Sequence, residues 1–301
     1  MSQSDTIHHF RSVGQYCTFN RQKTLHPLMS TVDLALAAPR QLRPMRFDFY
    51  LIFLKEIKCG DLRYGCHQYD YEEGTLVFVS PGQLIGSHGE ETYQPQGRAL
   101  AFHPDFLSGT PLGGGRMDDF TFFGYQANEA LHMSARERAL VAGCLDQIGE
   151  EFGHIDKHTK RLVVGRLELL LGYCERFYDR QFITRQQVNQ GVLTKFEGLL
   201  AEYFRTGRAR GEGLPTVAHF AERLHLSANY FGDLVKKDTG LSPQDHIQLK
   251  VLDVAREGLL DPQNSVSEVA YDLGFAYPQH FSRMFKRATG VTPGEYRNQT
   301  N

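Results

Sequence analysis

The sequence predicts an α+β chain. An N-terminal antiparallel β barrel or sandwich carrying two helices precedes an all-α part, in which two helix-turn-helix units are joined by a long helix. Three observations carry this. Short aromatic and β-branched runs, broken by Gly and Pro, fill much of the first hundred residues. Two stretches with apolar residues at helical spacing follow, starting near Ala135 and Lys157. Past residue 190 the chain repeats itself, the segment Thr216–Gly240 being echoed by Ser265–Gly290.

Residues 1–45 read as irregular or partly paired, punctuated by Pro27, Pro39 and Pro44. The run Phe47–Lys58 leads into a turn at Cys59–Asp61, a second run at Leu62–Tyr69 and another turn at Glu72–Gly74. Thr75–Val79 is a short apolar strand stopped by Pro81-Gly82, and Arg98–His103 is a further one. Ser134, with Glu137 three residues on, is a capping-box pattern for a helix at Ala135–Phe152. Leu140, Val141, Cys144, Leu145 and Ile148 form its apolar stripe. Lys157–Asp179 is a second helix, through Leu162, Val163, Leu167, Leu170, Leu171 and Cys174. The polar stretch Ile183–Gln190 reads as a linker. Val192–Phe204 is amphipathic, Gly207–Pro215 reads as a loop, and a helix from about Ser242 to Leu260 is ended by Asp261-Pro262.

Bulk numbers narrow the class. A chain of 301 residues with 41% hydrophobic content has room for two domains with real cores. No apolar run approaches the ~18–20 residues of a membrane span. Met1–Thr6 lacks the basic and apolar regions of a secretory signal, so a cytoplasmic location is expected. Five cysteines without paired spacing read as free thiols. Net charge is −2, and from Gln190 onward 13 Lys+Arg balance 13 Asp+Glu. Distribution matters more than the sum. From Tyr277 to Thr289 there are Arg283, Lys286 and Arg287 and no acid.

The two copies align residue by residue. Val217, Ala221 and Leu224 match Val266, Ala270 and Leu273, and past the turn Phe231, Lys236 and Gly240 match Phe281, Lys286 and Gly290. Each copy reads as helix, tight turn, helix, an arrangement that can set its second helix in a DNA major groove. In the second copy Phe281, Met284, Phe285 and Ala288 form the inward face, packed on Val266, Val269, Ala270 and Leu273. Gly274 stands where a helix end needs positive φ, and Phe275 tucks the turn inward. The outward set is Gln279, His280, Ser282, Arg283, Lys286 and Arg287. Gln and Arg pair two-pronged with adenine and guanine edges. The first copy turns out Ala228, Asn229, Tyr230, Gly232, Asp233, Lys236 and Lys237.

Gly274-Phe275, Phe281-Ser282-Arg283, Phe285-Lys286, Gly290, Pro293 and Tyr296-Arg297 resemble the signature of the AraC/XylS family of bacterial transcription regulators, over roughly residues 190–301. The resemblance implies two recognition helices entering successive major grooves. It implies base contacts from Asn229, Tyr230 and Asp233 in the first unit and from Gln279, His280 and Arg283 in the second. Ser227, Lys236, Lys237, Lys286 and Arg287 are the phosphate-contact candidates. Asp233 stands where some members have arginine, and Gly232 offers no side chain. By the same resemblance, residues 1–133 look like a cupin-like sensor barrel, 134–182 like dimerisation helices, 183–190 like a linker and 191–301 like the DNA-binding domain. The implied function is a sequence-specific regulator of transcription, an activator, controlled by a small-molecule effector or a partner. Promoter DNA, RNA polymerase and a second copy of the chain are the implied partners, and no cofactor is implied.

Other motifs point to less. Cys59, Cys66 and His67 fit no zinc spacing, and the paired-histidine and glutamate pattern of metal-binding cupins is missing. His88 and His103 read as barrel-rim or core histidines. Gly109–Gly115 is glycine-rich but lacks the Gly-Lys-Ser/Thr ending of a phosphate loop. Phe47, Phe49, Tyr50, Phe53, Tyr64 and Phe78 read mostly as core, with two or three facing a pocket. Two alternatives stand beside the regulator: a cupin-like enzyme with a helical appendage, and a constitutive DNA-binding protein that senses nothing. The first needs a metal cluster or an acid–base pair with a nucleophile, and the sequence displays neither.

Overall fold

Strand length in the N-terminal half is set by its breakers, and the sheets it forms are correspondingly small. The computed structural model describes residues 7–55, 74–86, 92–126, 129–184 and 186–300, with side chains except at 186–188 and 299–300. Two compact units divide at residue 184.

The first unit begins β1 (His8–Phe10), α1 (Val13–Phe19), β2 (Met29–Asp33), β3 (Arg40–Gln41), β4 (Met45–Phe47) and β5 (Tyr50–Lys55). It continues β6 (Thr75–Val79), β7 (Leu84–Ile85), β8 (Thr92–Tyr93), β9 (Arg98–Phe102) and β10 (Leu131–His132). Strands order as β10-β6-β5-β9-β2 in one sheet, β1-β4-β7 in a second and β3-β8 in a third. The expected closed barrel is therefore corrected: among the described residues the sheets stay open, with the two-residue β10 and the strand β2 as edges of the largest. Pro and Gly breaks keep most strands too short to close a continuous ladder. The expected turns at 59–61 and 72–73 and the run 62–69 lie outside the described residues.

Burial explains which strands form. All five residues of β6 are buried, and so are Leu51, Ile52 and Leu54 of β5, as a strand covered on both faces requires. Phe10, Tyr16, Phe47 and Phe49 join that core, with the Phe10 and Phe47 rings stacked at 5.3 Å. Phe47, Phe49 and Phe78 are core residues rather than pocket walls.

Two helices complete the unit, α2 (Ala135–Glu151) and α3 (Thr159–Thr184). Ser134 and Glu137 form the expected capping box, and the Arg180 guanidinium donates to Glu137 at 2.9 Å. These hydrogen bonds and the Arg180 charge hold the Glu137 carboxyl below its ordinary pKa against the opposing pull of burial. Gln181 stitches α3 to β10, accepting from the His132 amide at 2.8 Å and donating to the Ala130 carbonyl at 3.2 Å. Leu140 and Leu162, expected inside, are exposed, because Val141, Cys144, Val163 and Leu167 already fill the α2–α3 contact.

The second unit is entirely helical: α4 (Gln186–Arg205), α5 (Arg208–Glu212), α6 (Val217–Arg223), α7 (Ala228–Thr239), α8 (Pro243–Leu260), α9 (Val266–Asp272), α10 (Pro278–Thr289) and α11 (Pro293–Thr300). Residues 183–184 and 186–190 are helical, so the expected linker is continuous with α3 on one side of residue 185 and α4 on the other. That stretch has no Gly or Pro to break a helix. The expected loop at 207–215 contains α5, braced by a two-pronged Arg208–Glu212 pair at 2.9 Å, one turn apart.

Candidate nucleic-acid interface

Each helix-turn-helix unit is built from caps inward. Thr216, Ser227, Ser242 and Ser265 accept hydrogen bonds from the third helical residue at the starts of α6, α7, α8 and α9. Glu268 returns the bond to Ser265, and those bonds hold its carboxyl below the usual carboxylate range. The first helix of each pair then ends in a residue at positive φ. In the second unit this is Gly274 (φ 89°), in the first the equivalent His225 (φ 57°). Phe275 donates its amide to Ala270 across the second turn at 3.0 Å, as Leu226 does to Ala221 across the first at 2.9 Å.

Packing differs between the copies. In the second, Phe281 and Phe285 are fully buried, and Phe285 meets Tyr296 of α11 at 5.4 Å. The first helix of that unit contributes Val269, Ala270 and Leu273. In the first copy, α7 packs not only on α6 but also on α4 and α8. Phe196 of α4 inserts between Phe220 and Phe231, with ring centroids at 5.2 and 5.0 Å. The wider contact buries four α7 residues, Tyr230, Phe231, Leu234 and Val235, against two in α10.

That asymmetry sorts the expected contact residues. Gln279, His280, Arg283, Lys286 and Arg287 are all exposed on α10. Ser282 is half-buried and donates to the Pro278 carbonyl at 3.1 Å. Ala288, expected inside, is exposed near the end of α10, beyond the buried pair. On α7, Asn229, Lys236 and Lys237 are exposed and Asp233 is half-buried. Tyr230 is corrected: only 6% of it is exposed, because α7 has a broader buried face than α10. Ser227 is buried, its hydroxyl accepting the Tyr230 amide at 3.1 Å as the cap of α7.

One residue escaped the sequence reading. Tyr277, just before α10, is 59% exposed, lies with its ring 5.5 Å from that of His280, and provides no side-chain cap. Its signal was an aromatic at a cap position where Ser or Thr stands in α6, α7, α8 and α9. Arg297 proves to be scaffold: its guanidinium donates to the Leu259 carbonyl at 2.9 Å and the Asn264 carbonyl at 2.7 Å, tying α11 to the end of α8. Replacing it with Met removes two charge-assisted bonds, and we expect a loss of ~1–2 kcal/mol in urea unfolding. A midpoint equal to wild type would remove this assignment.

His219 gives the second unit a pH dependence. Its ring packs on Tyr203 and Phe220, its Nε2 is buried with no hydrogen-bond partner, and burial, with Arg223 and Arg208 nearby, holds its pKa below the ordinary 6.5. A depressed imidazole binds its proton more readily in the unfolded chain, so this contribution is complete above pH 6.5 and is lost as pH falls toward the folded value. Urea midpoints compared at pH 7.5 and 5.5 should differ less in His219→Phe than in wild type. Equal differences would rule the residue out as a source.

Among the described residues, no group of three or more His, Cys, Asp or Glu is placed to hold a metal ion. The candidate ligands Cys59, Cys66, His67 and His88 lie outside the described residues, as does Tyr64. His103 is half-buried and caps the turn after β9, its Nδ1 accepting the Asp105 amide at 3.2 Å. No helix of the described residues is long and apolar enough to cross a membrane.

A helix-turn-helix domain model matches residues 220–299. An uncharacterized HTH-type transcriptional regulator of Bacillus subtilis, YtdP, is 33% identical over 84 residues, 28% of this chain and 11% of its own. The HTH-type transcriptional activator RhaS of Escherichia fergusonii is 38% identical over 77 residues, 26% of this chain and 28% of its own. Across the first relatives the match spans 11% to 34% of their length. A solved C-terminal domain of the response regulator yesN from Fusobacterium nucleatum is 25% identical, covering 36% of this chain and 98% of that one, with a TM-score of 0.32. The matched curated relatives are regulators of transcription, not enzymes.

Proposed function

We propose, from the premise that the C-terminal unit is an AraC-type helix-turn-helix domain, that the chain is a sequence-specific DNA-binding regulator of transcription. The observation that carries the reading is the outer face of α10. Gln279, His280, Arg283, Lys286 and Arg287 are presented together on a helix whose other side is locked by Phe281 and Phe285. Two-pronged side chains in the early turns read base edges, and the two cations in the last turn hold phosphates. On α7, Asn229 and Asp233 remain base-contact residues, while Lys236 and Lys237 hold the backbone. Asp233 accepts from a cytosine amine there. The first unit sets register more than it reads sequence.

The reading extends to activation, through RNA polymerase, under control of a small-molecule effector held in the cupin-like N-terminal unit, in a cytoplasmic homodimer. Exposed Leu140 on α2 and Leu162 and Leu169 on α3 supply an apolar face for pairing two copies. An effector acts by favouring one arrangement of the two units over another.

Selection of bound DNA from a random pool by the full chain tests the core of this. A defined site should emerge, with affinity falling steeply as salt rises. A pool that does not enrich, or a flat salt profile, refutes DNA reading.

A further inference from the structure

The N-terminal unit holds a cavity of about 120 Å³ among its three sheets, between β3, β4, β5, β6, β7 and β8. Its floor is apolar. Phe53 and Val77 are cross-strand partners on β5 and β6, and Met45 and Ile85 pair across β4 and β7. Phe53, Met45 and Ile85 pack on the core yet stay only partly buried. The charged part of the described lining is of one sign. Arg40, Arg43 and Lys55 line the cavity, and among the described residues no acidic side chain does.

Arg40 is the telling residue. Its Nη1 donates to the Asn20 Oδ1 at 2.9 Å, and its guanidinium lies 4.7 Å over the Phe19 ring, so the group is held in place. Its Nε is buried without a hydrogen-bond partner. A guanidinium beside an apolar cavity binds a carboxylate far better than a neutral group. Arg43 is turned to Gln41 at 3.2 Å, and neither arginine is in an ion pair among the described residues.

We propose that this cavity binds a small monocarboxylate with a compact apolar body, the anion set on Arg40 and Arg43 and the hydrocarbon against Phe53, Val77 and Ile85. A cavity near 150 Å³ takes a benzene-sized body, so one of about 120 Å³ takes a somewhat smaller hydrocarbon. The apolar floor favours a monoanion over a strongly hydrated dianion such as phosphate. The proposal rests on the sensor reading above for its consequence, but not for its geometry.

Calorimetric titration of the full chain tests it, with butanoate and pentanoate as probes, their amides as neutral isosteres, and inorganic phosphate as an anion without a body. At least one acid should bind and raise the melting temperature, since it binds only the folded state. Its amide should bind on the order of tenfold more weakly, and phosphate should not bind. Arg43→Gln should lower acid affinity by a similar factor. Val77→Phe, which fills the cavity, should abolish binding while keeping the helical circular dichroism. Absence of binding by both acids, equal binding of acid and amide, or unchanged binding in both variants overturns the site. A separate arm measures affinity for the selected DNA with and without the acid. A change supports the effector role; binding that leaves DNA affinity unaltered upholds the cavity assignment and refutes that role alone.

Discussion

Gly274→Ala is expected to unfold the second helix-turn-helix unit. The residue sits at φ 89°, and a Cβ built there meets the Gly213 carbonyl carbon at 2.6 Å, the Ala209 oxygen at 2.7 Å and the Leu214 nitrogen at 2.8 Å. All three are backbone atoms, so no side chain can swing aside. The left-handed conformation alone costs an alanine roughly 1–2 kcal/mol, and separating the turn from the α5 segment unseats α9. We expect a total of about 3 kcal/mol or more, read as lower amide-exchange protection in α9 and α10 of the full chain. The matching position in the first unit is the control. His225 already tolerates φ 57°, so His225→Gly should leave α6 and α7 within about 1 kcal/mol of wild type. A loss of only roughly 1–2 kcal/mol would show that the contacts relax and the glycine serves φ alone, and wild-type protection would refute both roles.

Arg283→Ala is expected to cost ~1–3 kcal/mol of binding to the selected DNA and to relax preference at one base position. The side chain is exposed on α10, between the buried Phe281 and Phe285, so its removal leaves the scaffold intact. Lys286 and Arg287, one turn later, should behave differently. Replacing both with Ala should weaken binding to all sequences alike and reduce the slope of log affinity against log salt by about 0.9 for each phosphate no longer neutralised. Lys236→Ala in the first unit should act in this second way as well. If Arg283→Ala weakens cognate and random DNA equally, the arginine is a phosphate contact and base reading falls to Gln279 and His280.

Legibility followed the range of the interaction that decides each feature. Capping boxes, helix ends and the apolar stripe of α10 are local patterns of a few residues, and Ser134–Glu137, Gly274 and Phe281–Phe285 could be placed from spacing alone. The open sheets could not. Whether β2 and β10 meet depends on pairings between distant segments, and local alternation is the same in a barrel strand and in an edge strand. The α5 helix was hidden because Gly207 and Gly213 frame it, although the Arg208–Glu212 spacing was there to be seen.

The candidate interface divides in the same way. By itself the sequence determined that a helix-turn-helix unit occurs twice, that Gln279, His280, Arg283, Lys286 and Arg287 of α10 point away from its core, and that their charge is positive, because helical period and a duplicated pattern need no partner to be read; it misplaced Ser282 and Ala288. Gly232 and Asp233 already made the outward faces unequal in sequence; only the tertiary structure decided that the buried faces are unequal too. Tyr230 and His280 hold equivalent positions, yet the first is buried on a helix that packs on α4 and α8 as well as α6, and the second is exposed. In the sequence Arg297 is one residue of a family signature, and only its two carbonyl partners, on α8 and the following loop, give it a role in the scaffold. The arginine-lined cavity of the N-terminal unit belongs to this second kind, since Arg40, Phe53, Val77 and Ile85 come together only when three separate sheets are packed around it.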